Sequence, residues 1–206
     1  MKITRIGHSG FLVEFEKHNL IFDFYTDKAG VITPEVFKDK RTTVFVSHTH
    51  GDHFNKEIFE WAQYGDVAYV LDSACYAYGM EKNVYKLDEG ESFAHADYGV
   101  SVRTFGSTDE GVSFLVKVRD THLFHSGDLN CWYWADEKTP EELKASEDEY
   151  LQIIRQLPVG LIDVAFVPED PRLGEHAGRA VKLFQELVKP ARIIPMHFPG
   201  GDGETV

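Results

Sequence analysis

Only two cysteines, Cys75 and Cys131, occur in the 206 residues. They are too few for a disulfide framework and lack C-x-x-C spacing, so both are expected as reduced thiols. No stretch approaches the roughly 18 apolar residues that a membrane-spanning helix needs. The opening MKITRIGHSGFLVEF has neither the apolar segment nor the cleavage site of a signal peptide, and the expected location is cytoplasmic. Positive charge is scarce: 21 Lys and Arg face 34 Asp and Glu, a formal net charge of −13. Contact with a phosphate backbone needs clustered cations, and no basic stripe exists, so neither nucleic acid nor membrane is expected as a partner. Four catalytic signatures are also missing: the H-E-x-x-H helix, the Walker loop, the dinucleotide fingerprint and the G-x-S-x-G elbow.

What is present suits a folded domain. Hydrophobic residues make up 43% of the chain, enough for a core, and residues 1–206 are expected to form a single domain. Short Val-, Ile- and Phe-rich runs bounded by Gly, Asp or Pro read as strands: Lys2–Ile6, Phe11–Phe15, Leu20–Phe24, Thr43–Val46, Val67–Leu71, Val100–Phe105, Val112–Val118, His122–His125, Asp163–Val167 and Arg192–Pro195. Thr139-Pro140-Glu141-Glu142 is a capping box with proline in the first turn, and Leu143, Tyr150, Ile154 and Leu157 continue it at helical spacing up to Pro158. A second helix is expected from Glu175 to Val188. Shorter ones are expected over Lys56–Trp61 and near Ser73. Strand runs alternating with helices in this order predict an α+β fold of two packed sheets with helices outside.

The chemistry concentrates in VFVSHTHGDHF. His48, His50, Asp52 and His53 form H-x-H-x-D-H directly after an apolar run. Imidazole nitrogen and carboxylate oxygen are donors that zinc and similar metals take. Two histidines two positions apart at a strand end share a side, and the pair beyond Gly51 can turn towards a neighbouring point. That spacing suits two adjacent metals better than one. Two further donors follow apparent strand ends: Asp128 in LFHSGD and His197 in RIIPMHF.

With the SHTHGDH loop, the HSGD turn and the terminal PMH in place, the chain resembles the metallo-β-lactamase superfamily. The opening IGHSGFLVEF with LIFDF looks like the branch of ascorbate-6-phosphate lactonase-like proteins. The resemblance spans essentially the whole chain. It implies a four-layer αββα sandwich with metals at one edge, and it implies roles by matching position. His48 and His50 would hold one metal, Asp52, His53 and His197 the other, and Asp128 would bridge. One position departs from the pattern: the histidine expected between the first motif and the bridging aspartate is missing from RTFGSTDEGVSFLV, residues 103–116. Asp109 is the leading substitute, with Glu110, Ser107 and Thr108 behind it. An oxygen ligand there would move preference from zinc towards manganese or iron. Asp23 falls where the family often places a carboxylate that orients the ligand loop; a solvated strand-end aspartate is the other reading.

The implied activity is that of a metal-dependent hydrolase. A metal-bound hydroxide would act on a lactone, ester, amide or phosphoester of a small molecule. Asp128 and Asp52 are the expected catalytic carboxylates, with one or two divalent ions, zinc foremost, as cofactor. Coordinating imidazoles must be neutral, so activity is expected to fall in acid. The competing reading is a non-hydrolytic redox or sensing protein on the same fold. His8 in GHSG can line the pocket or serve structurally. Trp132, Tyr133 and Trp134 can form a substrate wall or plug the core. His125 is expected to point away from Asp128, His176 to be an exposed first-turn residue, and Cys131 to be a small buried hydrophobe.

Overall fold

Short apolar runs buried on both faces make the first sheet. In the computed structural model, which describes residues 1–79 and 82–206, Leu12, Ile21, Val44, Tyr69 and Val84 fall in one register row across five neighbouring strands. These strands are β2 (Phe11–Glu14), β3 (His18–Phe22), β4 (Arg41–Val46), β5 (Asp66–Asp72) and β6 (Val84–Leu87). Residues of one row share a sheet face, and this row joins Phe37, Ile58 and Trp61 in one hydrophobic cluster. Phe37 and the Ile58–Trp61 stretch lie on 3₁₀ helices, Pro34–Phe37 and Lys56–Gln63. The opposite face carries Phe22 and Phe45, stacked at 4.7 Å.

Two compact units make up the chain. The first comprises Met1–Asp88 with Pro199–Val206. Its sheet runs in order from β1 (Lys2–Arg5) to β6. β1, β2 and β3 are antiparallel, and β3 to β6 are parallel. The C-terminal segment returns to β1, where the Val206 amide donates to the Ile3 carbonyl at 3.0 Å.

The second unit, Glu89–Phe198, has a six-stranded sheet in reverse order, β12-β11-β10-β9-β8-β7. β7 (Ser92–His95), β8 (Val100–Phe105), β9 (Ser113–Val118) and β10 (Thr121–His125) form an antiparallel meander. β11 (Val164–Pro168) and β12 (Arg192–Met196) then add in parallel. Helices α1 (Pro140–Ile154) and α2 (Arg179–Leu187) cover one face, and Phe124, Val167, Tyr150 and Phe184 belong to one core cluster. The Tyr150 hydroxyl, fully buried, donates to the Ala180 carbonyl at 3.1 Å and ties the two helices together.

The ten expected strands all form, within a few residues of their expected ends. Two strands were not expected, β6 and β7; both are four-residue edge strands, only Leu87 of the eight residues being buried. The second helix starts at Arg179 rather than Glu175. Gly174 takes a non-helical conformation (φ 58°, ψ −127°), so Pro171–His176 is a separate 3₁₀ turn and His176 closes that turn instead of opening a helix. No helix forms near Ser73, where the Cys75 amide closes a turn on the Asp72 carbonyl. Among the described residues no helix is long and apolar enough to cross a membrane.

The capping box is present as expected: the Thr139 hydroxyl accepts from the Glu142 amide, and the Glu142 carboxylate accepts from the Thr139 amide. Thr139→Ala is therefore expected to lower the unfolding free energy by about 1 kcal/mol in urea titrations, with the helical circular dichroism of the native state unchanged.

Candidate metal centre

Parallel pairing of β3 with β4 brings two strand ends together. Asp23 follows Phe22, its amide bonds the Phe45 carbonyl at 3.0 Å, and it therefore lies beside Ser47, where the histidine loop begins. Asp23 is completely buried. It accepts the Ser47 amide at 2.8 Å, the Ser47 hydroxyl at 2.6 Å and His53 Nδ1 at 2.8 Å. Because the Ser47 hydroxyl proton goes to Asp23, Ser47 Oγ must accept from His48 Nδ1, 2.9 Å away. One carboxylate thus fixes the tautomer of two histidines: His48 and His53 both carry the proton on Nδ1, which leaves Nε2 as the nitrogen that could coordinate a metal. The solvated reading of Asp23 is ruled out.

The rest of the loop gathers around these two rings. His48 and His53 have ring centroids 4.2 Å apart, and His48 and His50 4.6 Å apart. A turn in which the His53 and Phe54 amides both donate to the His50 carbonyl holds them there. Asp52 is exposed, and its Oδ2 is 3.6 Å from His8 Nε2. His8, Asp52 and His53 each place a donor atom within 4.8 Å of the others. His8 therefore lies in the donor cluster, although its place in a tight turn favoured a structural role.

In the second unit, three parallel strands end in functional groups. Asp128 follows β10, Asp170 follows β11 and His197 follows β12. This is the carboxyl edge where open parallel sheets usually bind ligands. His197 Nε2 is 3.1 Å from Asp128 Oδ1, close to the separation of two donors that each sit roughly 2 Å from one ion. Its Nδ1 is 3.0 Å from the buried carboxylate of Asp170. Arg172 holds Asp170 in turn, through its amide at 2.8 Å and its Nε at 2.8 and 3.0 Å. Burial works to raise the Asp170 carboxyl, but the Arg172 hydrogen bonds and the nearby His197 outweigh it and hold it below the usual carboxylate range. His197 itself has φ +70°, a left-handed conformation uncommon outside glycine and often stored at functional sites.

Asp109 reaches the same edge by a side-chain clamp. The Thr108 hydroxyl donates to the Asn130 carbonyl at 2.6 Å and accepts the Asn130 amide at 3.0 Å. This pins the 107–109 segment to the turn that carries Asp128, and carboxylate oxygens of Asp109 and Asp128 lie within 4.8 Å. Thr108 is thereby occupied in positioning. Of the aromatic triplet, Trp132 and Trp134 line a pocket and Tyr133 packs against the core. His125 turns to its own backbone and accepts the Gly127 amide at 3.2 Å. Cys131 is a buried core residue whose thiol is pushed up to about 11 by burial first and Glu147 second.

The sequence reading missed Asp170, Arg172 and Ser47 as supports. Asp170 did carry a signal: PEDP follows a strand as HSGD does.

A family model described as the beta-lactamase superfamily domain matches residues 2–144. The chain belongs to that superfamily. Among curated relatives, a UPF0173 metal-dependent hydrolase of Pyrococcus abyssi is 27% identical over 96% of this chain and 84% of its own length. Its counterpart in Methanosarcina mazei is 28% identical, over 96% and 83%. Among solved structures, the metallo hydrolase Igni18 of Ignicoccus hospitalis matches 96% of this chain and 82% of its own with a TM-score of 0.66 at 18% identity. The metallo-beta-lactamase fold protein YhfI of Bacillus subtilis matches 97% of each with a TM-score of 0.58 at 10% identity. The α+β fold is therefore of the metallo-β-lactamase type, as the sequence implied, and the enzyme class expected from the sequence is the one that the curated relatives carry in their names.

Two outcomes test the supports. Asp23→Asn puts an amide donor where the carboxylate accepts three hydrogen bonds, and it is expected to weaken zinc binding about 10–100-fold in competition with a chelator. Asp170 has a folded-state value below its unfolded one. Its ionised form therefore stabilises the fold above the unfolded carboxylate range, and that contribution is lost as pH falls through the folded value. Urea unfolding from pH 7 to pH 3 should show wild type losing its advantage over Asp170→Asn; parallel curves would remove Asp170 from the account.

Proposed function

We propose that this superfamily member is a metal-dependent hydrolase acting on a lactone, ester, amide or phosphoester of a small molecule, with zinc as the first candidate metal. His48 and His50 would hold one ion, with Asp109 completing its ligands, Asp52, His53 and His197 a second, and Asp128 would be shared by the two. These assignments rest on the matching positions of SHTHGDH, HSGD and PMH in the superfamily pattern. The single observation that carries the reading is that a buried carboxylate holds Nδ1 of a candidate ligand in each unit, Asp23 on His53 and Asp170 on His197. A core histidine also takes a hydrogen-bond partner, as His18 does in the Thr43 hydroxyl, but a buried carboxylate on the ring nitrogen opposite a cluster of further donors is the usual setting of a metal-binding histidine.

A bound divalent ion would act as a Lewis acid and would lower the pKa of water to about 7. The chain's own residues do the rest. Asp128 is 4% exposed and beside His197, a protected position from which its carboxylate can take the proton of the attacking water. Asp52, half exposed and next to His8, can pass that proton outward. The net charge of −13 disfavours a polyanionic substrate and favours a small one. The lactone is kept among the bond types because IGHSGFLVEF resembles the lactonase-like branch.

A panel of aryl ester, lactone and phosphodiester probes tests this. Turnover should cease with a chelator, return with added zinc or manganese, and fall about 100-fold or more in kcat/KM for His48→Ala and Asp128→Ala. Hydrolysis that survives both substitutions contradicts the mechanism.

A further inference from the structure

Beside Asp109 the second unit holds a pocket of about 310 Å³ whose walls include Trp132, Trp134, Lys138 and Arg172. It adjoins the ligand set of that unit directly. Asp109 is one of its walls, and the Trp132 ring meets His197 edge-on at 5.6 Å. The two indoles lie parallel, with 1° between their planes and centroids 5.9 Å apart, and the Arg172 guanidinium sits 5.6 Å over Trp134. Flat aromatic planes of this kind offer contact area to a ring or an apolar chain with little ordering of their own.

Lys138 decides the polarity. It is half-buried, and its ammonium donates to the Ser146 hydroxyl at 2.7 Å and the Trp132 carbonyl at 3.3 Å, both neutral. Among the described residues no carboxylate lies at ion-pair distance from it. The chain has an excess of 13 acids over bases, yet Lys138 hydrogen-bonds only to neutral groups. Glu142 feels its charge less than it feels its own capping bonds to Thr139, and a half-buried ammonium without a close counter-charge is costly. Arg172 adds a second cation, fixed in place by Asp170. Of the two acids that line the pocket, Asp109 is a candidate metal ligand and Glu149 is exposed.

We propose that this pocket selects substrates with an apolar or aromatic body and an anionic group, a carboxylate or a phosphate, which Lys138 binds while the body lies against Trp132 and Trp134. As a statement about substrates it rests on the hydrolase reading; as a statement about anion binding it stands by itself. Lys138 is on this account a specificity residue and takes no part in the bond cleavage.

The test titrates metal-loaded protein with phenylacetate, benzylphosphonate and neutral benzyl alcohol, by calorimetry and indole fluorescence. At least one anion should bind about tenfold tighter than the alcohol, as a charge-assisted hydrogen bond allows. The tighter of the two names carboxylate or phosphate. Lys138→Met should abolish most of that preference and Lys138→Arg should keep it, which separates loss of charge from loss of packing. Equal binding of all three probes overturns the proposal, and so does a preference that survives Lys138→Met, since the anion would then be held elsewhere. Turnover of matched esters with and without the anionic group distinguishes the two readings. Lysine-dependent anion binding without hydrolysis sinks the hydrolase and leaves the pocket. Hydrolysis indifferent to the anion, with no binding preference, sinks the pocket and leaves the hydrolase.

Discussion

The Asp23 carboxylate, sealed from water at the end of β3, receives a serine amide, a serine hydroxyl and a histidine ring proton at once. A buried charge with fewer partners would cost several kcal/mol, so these three donors are bound to Asp23 as much as it is bound to them. Through Ser47 the constraint extends to His48, and a single residue ends up deciding which nitrogen two histidines present. Without it the H-x-H-x-D-H loop would be a set of rings free to flip. Metal affinity on this account is a property of the pairing between β3 and β4 before it is a property of the histidines.

The second unit reaches the same end with different parts. Asp170 replaces Asp23, Arg172 replaces the serine, and His197 is the ring that is oriented. In both units the oriented groups stand at the carboxyl ends of parallel strands, where the backbone leaves the ladder and side chains can converge. Each arrangement also includes a non-glycine residue with positive φ, Asp23 at +39° and His197 at +70°. Surrounding hydrogen bonds keep these conformations in place, as is usual where geometry serves chemistry.

Much of this was legible in the amino-acid order. Strands rich in Val, Ile and Phe declared themselves as short apolar runs bounded by Gly, Asp or Pro, because central strands covered on both faces are buried along their length. Thr139 through Glu142 declared a helix start, because few other functions need those residues at that spacing. The histidine loop stood out since four metal-type donors in six positions have no packing purpose. β6 and β7 did not, since each is a four-residue edge strand held by backbone pairing on one side, too short for a pattern to show. Nor did the break at Gly174, which is a matter of one backbone angle inside an otherwise helical pattern. Asp170 and Arg172 stayed hidden for a further reason: they act on a histidine 25 or more residues downstream, and periodicity carries no information about partners that only the fold brings together.

The proposed function requires that the donors oriented by Asp23 and those oriented by Asp170 serve one metal centre. Zinc titration against a metallochromic chelator, on wild type, His53→Ala, His197→Ala and the double variant, tests it most directly. The account predicts that either single substitution weakens the same binding event by about 10-fold or more, and that the double variant loses little beyond the worse single one. Two independent losses that add in the double variant, or a substitution in either set that leaves zinc binding untouched, would contradict a shared centre.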